Sequence, residues 1–202
     1  MSQLKLTADS GGGTVAIKGP ASTTGNAAIE LTVPGTGSGT LAVGNTGKIL
    51  QVKQATQTGR VSASVTSTVF QDISGLSVSI TPTATSSKIL VSFHLHVATT
   101  VGNYLVMSRI MRDSTAIGIG DQVGSNRPRA SNITWSNNEN YQTTAIDNAF
   151  LDSPNTTSAT TYKIQWTDSY GQTLYLNRGI TDSDSIYFPC TLSHITVMEV
   201  AA

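Results

Sequence analysis

The sequence predicts an all-β fold: a short intertwined N-terminal β-shaft or arm over residues 1–47, then an antiparallel jelly-roll sandwich over 48–202. Three observations carry that prediction. The 202-residue chain is polar without being charged, with 38% hydrophobic and only 12% charged residues, and Thr, Ser and Val are abundant. Such a composition favours hydrogen-bonded strands over charge-rich helices or disorder. Apolar residues alternate with polar ones at period two, and no segment keeps a helical repeat. Turn-formers punctuate the chain throughout.

The N-terminal pieces are short. Leu4-Lys5-Leu6, Thr14 to Lys18, Ala28 to Val33 and Thr40 to Val43 are separated by Gly11-Gly12-Gly13, Gly19-Pro20, Pro34-Gly35 and Gly44-Asn45. Each piece carries too little apolar surface for a private core, but identical segments from other chains could cover it. An intertwined trimeric shaft is one solution, and a flexible linker is the other.

From Lys48 the pieces lengthen. Ile89, Val91, Phe93, Leu95 and Val97 fall on one face of a strand, with Lys88, Ser92, His94 and His96 on the other. Leu76 to Ile80 and Tyr162 to Trp166 alternate in the same way. Further strands are predicted at Ile49 to Gln54, Val61 to Phe70, Tyr104 to Arg112, Ala116 to Gly120, Thr143 to Leu151, Thr173 to Asn177 and His194 to Val200. Asp113-Ser114-Thr115 reads as a tight hairpin. This strand set, separated by polar turns, points to two packed antiparallel sheets, for which a jelly roll is the common form at this size. Phe93, Leu95, Ile164 and Trp166 are the expected core. Asp121 to Tyr141 reads as one long loop, and loops of that length are usually functional or disordered.

Charge and motifs exclude several classes. Twelve Lys+Arg balance twelve Asp+Glu, which leaves no basic footprint for duplex nucleic acid. No apolar run is long enough for a spanning helix, so membrane insertion is not expected. The start at Met1 has no apolar h-region, hence no signal peptide is read there. Cys190, the one cysteine, cannot form an intrachain disulfide and is expected to be a small buried residue. Gly11-Gly12-Gly13 lacks the helix and Lys-Ser/Thr of a phosphate loop.

Candidate chemistry is sparse, and no catalytic residue and no cofactor are assigned. Asp182 and Asp184 could share a strand face or ligate calcium, but no EF-hand pattern surrounds them, and a solvated loop accounts for both. His94 and His96 point the same way from a strand, away from Phe93 and Leu95. On the threefold axis of a trimer such imidazoles could bind a metal; on a polar sheet face they would meet water or a neighbouring chain. No metal ligand is assigned. Arg127, Arg129, Trp135, Asn137, Asn138, Tyr141 and Tyr170 are the expected receptor-binding residues. Aromatic faces stack on sugar rings, and Asn and Arg bond hydroxyls and anionic groups. The same aromatics could instead dock on the sandwich or contact a capsid or tail partner.

Ser10-Gly11-Gly12-Gly13-Thr14-Val15-Ala16-Ile17-Lys18-Gly19-Pro20-Ala21-Ser22-Thr23-Thr24, then Ala28 to Pro34 and Gly39-Thr40-Leu41-Ala42, resembles the terminal shaft segment of tail-fibre proteins from phages of cyanobacteria. Lys48 to Val52, Gly75 to Pro82, Ser86 to Val91 and Arg112 to Thr115 resemble the globular domain that follows such segments, similar in outline to complement-globular and tumour-necrosis-factor-like jelly rolls. The resemblance implies a homotrimeric, non-enzymatic virion protein, made in the host cytoplasm. Its implied partners are its own copies, other virion proteins through the N-terminal segment, and a host-surface polysaccharide. A short tail fibre or receptor-binding protein is the expected role. A capsid decoration, cement or head-fibre protein is the alternative, and a carbohydrate-active enzyme on a sandwich scaffold is a third.

Overall fold

The computed structural model describes residues 3–7, 14–18, 48–100, 104–136 and 140–202. The chain divides into two units, Met1–Ala42 and Val43–Ala202. In the first, β1 (Gln3–Thr7) and β2 (Thr14–Lys18) pair antiparallel, with Gln3 opposite Lys18 and Thr7 opposite Thr14. The pieces expected at Ala28 to Val33 and Thr40 to Val43 lie outside the described residues.

The second unit is an antiparallel β-sandwich, and no helix occurs among its described residues. Its centre is β6 (Lys88–Thr99), where Ile89, Val91, Phe93, Leu95 and Val97 are buried and the residues between them up to His96 are half-exposed. Each such burial contributes about 1.5–3 kcal/mol. Along one edge β6 pairs with β10 (Thr144–Asp152). Its other edge is shared end to end by β13 (Ser193–Val200) and β12 (Thr173–Leu176). Outside these lie β3 (Ile49–Gln57), against β13, and β4 (Val61–Ser64), against β12.

The facing sheet runs β5 (Gln71–Ile80), β11 (Thr160–Asp168), β7 (Leu105–Arg112), with β8 (Thr115–Ile117) and β9 (Asn132–Trp135) sharing the outer edge of β7. Successive strands from β5 to β7, and from β9 to β12, cross between the sheets, as a jelly roll requires. Tyr162, Ile164 and Trp166 of β11 join Phe93, Leu95, Ile146 and Ile195 in one core cluster. The four expected core residues are therefore all inside.

Three expectations are corrected. Val61 to Phe70 is not one strand, because β4 stops at Ser64 and the chain turns through Thr68 at φ 61°. Its Val- and Thr-rich composition suits a strand, yet Ser67 Oγ bonds the Ser169 carbonyl and Thr68 N–H bonds the Asp168 carbonyl, which holds it as a loop. Ala116 to Gly120 shortens to β8 because Gly118 adopts φ +57°, where a Cβ would strike the Phe150 ring at 2.8 Å. Cys190 is exposed, not buried. It sits in the stretch between Asp182 and Leu192, which carries no strand to bring it inside.

Candidate functional site

The segment Asp121 to Tyr141 is not a plain loop, because it contains β9. That strand turns Ile133 and Trp135 outward, with Trp135 60% exposed. Trp135 stands opposite Leu105, and the next residue's N–H, that of Ser136, bonds the Tyr104 carbonyl. Tyr104 in turn packs its ring against Tyr170 at a centroid distance of 4.4 Å.

A buried carboxylate sets the position of Tyr170. Asp168, at the end of β11, accepts the backbone N–H groups of Tyr170, Gly171 and Gln172 at 3.0, 2.5 and 2.9 Å. Gly171 takes φ 79°, which closes the turn and leaves Tyr170 66% exposed. Tyr104 and Tyr170 thus stack at the start of β7, and Trp135 stands on β9 opposite Leu105. The sequence flagged two of them; Tyr104 was read only as the start of a strand.

The remaining candidates are spread elsewhere. Tyr141 lies beside Tyr187 and Phe188, with ring centroids 6.4 and 6.5 Å away. Arg127 and Arg129 are exposed, and Arg129 Nε donates to the Gly120 carbonyl at 2.7 Å. Asn137 and Asn138 lie outside the described residues. Asp182 is ion-paired with Arg60 at 2.5 Å and with Arg178 at 3.5 Å, which gives it a structural partner set.

A second cluster lies on the outward face of β6. Strand register aligns Asp147 of β10, His94 of β6 and His194 of β13 in one row. His96 follows His94 on the same face, so all three histidines of the chain meet there. Asp147 Oδ1 bonds His94 Nδ1, the Nε2 atoms of His94 and His96 are 2.9 Å apart, and the His194 ring stacks on His94 at 5.8 Å. Burial, and then the neighbouring His94, hold His96 below the usual histidine pKa. Shallow grooves of about 560 and 460 Å³ flank His94, the second lined also by His96, Cys190 and Leu192. Among the described residues no three His, Cys, Asp or Glu side chains form a ready metal cage.

Along the same face, the next rows are Ala149–Ser92–Thr196–Gln54 and Leu151–Leu90–Met198–Val52. Leu151 and Val52 are exposed.

The buried acids are committed to the fold. Asp152 receives Arg112 Nη1 at 2.9 and 3.0 Å and the Tyr162 hydroxyl at 2.7 Å, and burial together with that carboxylate pushes the Tyr162 pKa up. Glu199 is held by Gln51 and Thr83.

No family model matches the chain, and no curated protein matches it in sequence. Among solved structures it is similar to the tripod from the baseplate of bacteriophage Tuc2009, at 12% identity and a TM-score of 0.37, covering 90% of this chain and 84% of that one. It is also similar to infectious bursal disease virus, Gx strain, at 13% identity and TM-score 0.37, over 80% of this chain and 41% of that chain. The VP2 subviral particle of infectious bursal disease virus gives 11%, 0.35, 80% and 46% in the same terms. The chain therefore spans less than half the length of the latter two. At TM-scores of 0.35–0.37 and identities of 11–13%, these likenesses carry no argument about what the chain does.

Proposed function

We propose that the chain is a non-enzymatic bacteriophage virion structural protein, a homotrimer whose sandwich, residues 48–202, binds a host-surface glycan as a short tail fibre or receptor-binding protein. Residues 1–47 attach it to other virion proteins. The N-terminal and globular segments that resemble cyanobacterial-phage tail fibres support the virion role.

The observation that carries the recognition role is the exposed Trp135 of β9, opposite Leu105, together with the exposed Tyr170 stacked on Tyr104. Aromatic residues at the end of a rigid sandwich offer flat faces for sugar rings, at low entropic cost because β9 and the Asp168-bonded turn already fix them. Self-association is supported by the outward face of β10, β6, β13 and β3, where the Leu151–Leu90–Met198–Val52 row adjoins a row of mostly small residues.

Two measurements test this reading. Multi-angle light scattering of the full chain is expected to give three copies per particle; a monomer at micromolar concentration rejects the trimer. Trp135→Ala is expected to reduce binding of the labelled protein to cyanobacterial cells and to an array of bacterial surface polysaccharides by tenfold or more, about 1.4 kcal/mol. Its melting temperature should stay near that of the parent, since Trp135 is exposed. Unchanged binding rejects these aromatics as the receptor site. Immunogold labelling of heads instead of tails replaces the tail-fibre role with capsid decoration.

A further inference from the structure

We propose that Asp147, His94 and His96 form an acid-sensitive switch on the outward face of β6: the linked imidazoles hold one added proton, and a second breaks their hydrogen bond, frees the His96 ring and weakens the contact between copies of the chain. The effect on that contact rests on the self-association proposed above. The switch itself stands on the geometry of one chain.

The hydrogen bond limits how many protons the pair can hold. His94 and His96 lie two apart on β6, so they share a face, and their Nε2 atoms are 2.9 Å apart. An N–H···N bond at that distance needs one nitrogen with a proton and one without. His94 Nδ1 is engaged by Asp147 Oδ1, from the paired position on β10. With its Nδ1–H donating to the carboxylate, neutral His94 has a bare Nε2, and His96 Nε2–H donates to it. One added proton is accommodated. His94 becomes an imidazolium beside Asp147, its Nε2–H now donates to His96, and His96 keeps its single proton on Nδ1, 3.5 Å from the Thr143 hydroxyl. A second added proton puts a hydrogen on both Nε2 atoms and a positive charge on both rings. The bond then has no acceptor, and the two cations repel.

The surroundings supply charge enough for one imidazolium. The His194 ring of β13 stacks on His94 at 5.8 Å. On the β12 side the Asn177 N–H bonds the His96 carbonyl, and the groove of about 460 Å³ beside the pair is lined by Thr58, Cys190, Thr191 and Leu192. Asp147 is the one acid among the described residues that line the two grooves flanking His94. A single carboxylate therefore faces three histidines, and a second imidazolium goes uncompensated. Burial, and then the charge of His94, hold His96 below the usual histidine value of 6.5, and Asp147 opposes them. The groove gives the released ring a place to turn into.

This cluster shares its face with the Leu151–Leu90–Met198–Val52 row. Where copies of the chain meet on that face, the charge gained by each lies against the charge gained by its neighbours, away from water. His96 binds fewer protons in the fold than in the unfolded chain once pH drops below 6.5, so acid weakens the folded, assembled state.

The test is a pH titration of the full chain, followed by nuclear magnetic resonance of the imidazole Cε1–H signals, with light scattering over a dilution series at pH 7.5 and 5.0. The His96 midpoint is expected below 6.5. His94→Gln should raise it by removing a neighbouring positive charge, and Asp147→Asn should lower it further. The parent should assemble about tenfold or more weakly at pH 5.0 than at pH 7.5. His96→Gln, which takes up no proton, should lose most of that difference. Far-ultraviolet circular dichroism checks that each sandwich is intact, and His96→Asn replaces His96→Gln if the latter fails to fold.

A His96 midpoint at or above 6.5 overturns the switch, as does a midpoint that neither His94→Gln nor Asp147→Asn moves. Equal assembly at the two pH values, or a pH dependence kept whole in His96→Gln, overturns its control of assembly. A parent that is monomeric at pH 7.5 rejects the self-association proposed above, and the imidazole titration then decides the switch by itself.

Discussion

Phe93→Ala is expected to lower the free energy of unfolding by about 3–5 kcal/mol, from lost transfer energy and from the cavity left between the sheets. Phe93 occupies the middle of β6, with Asn148 of β10 on one side and Ile195 of β13 on the other. It is buried in the same cluster as Leu95, Ile146, Ile164 and Trp166. Hydrogen bonds from both neighbouring strands fix the backbone there, so the site cannot collapse by moving the strand and most of the cavity persists. Urea unfolding followed by tryptophan fluorescence measures the loss. Ser92→Ala, one residue away on the outward face, should stay within about 0.5 kcal/mol of the parent. A near-neutral Phe93→Ala beside a costly Ser92→Ala would mean that the strand faces the other way, since a slip of one residue exchanges the faces of a strand.

That contrast also explains what the sequence could reveal. The core face of β6 is legible because apolar and polar residues alternate from Val91 to Val97, with Leu90 the one apolar residue on the outward face. The outward direction of His94 and His96 followed from the same alternation. Their row mates did not, because Asp147 and His194 reach His94 only through register between strands far apart in sequence. Tyr104 and Tyr170 likewise meet because β7 pairs with β11, with Val106 opposite Asp168. β9 was missed for a different reason. Its apolar residues, Ile133 and Trp135, point to solvent and its half-buried ones are Asn132 and Thr134, so the pattern that marks a strand by its core face is inverted.

Glu199 gives the second large effect, and it too was invisible in the alternation. It follows Ile195 and Val197 at period two, so it lies on the inward face of β13 and is fully buried. Its carboxylate accepts Gln51 Nε2 at 2.7 Å and both the backbone N–H and the hydroxyl of Thr83 at 2.7 Å. These bonds tie β13 to β3 and to the connection between β5 and β6. Burial alone would raise its pKa, but hydrogen bonds from Gln51, Thr83 and Ser87 outweigh burial and bring it from 4.5 to about 2. A carboxylate with a depressed folded-state pKa stabilises the fold above its unfolded pKa, and that stability is lost as pH falls through the folded value. The loss should therefore run from pH 4.5 down to about 2. At about 1.4 kcal/mol for each tenfold change, the full contribution is roughly 3 kcal/mol. Glu199→Gln is expected to lose a similar amount at pH 7, about 2–4 kcal/mol, because the amide nitrogen faces donors and leaves at least one unpaired. Between pH 4.5 and 3 the variant's stability should fall less steeply than the parent's. Urea midpoints at pH 7, 4.5 and 3 measure both effects. Parallel decline in the two proteins would show that other carboxylates drive acid unfolding, and a neutral substitution at pH 7 would show that the Gln51 and Thr83 bonds contribute little to the closure of this end of the sandwich.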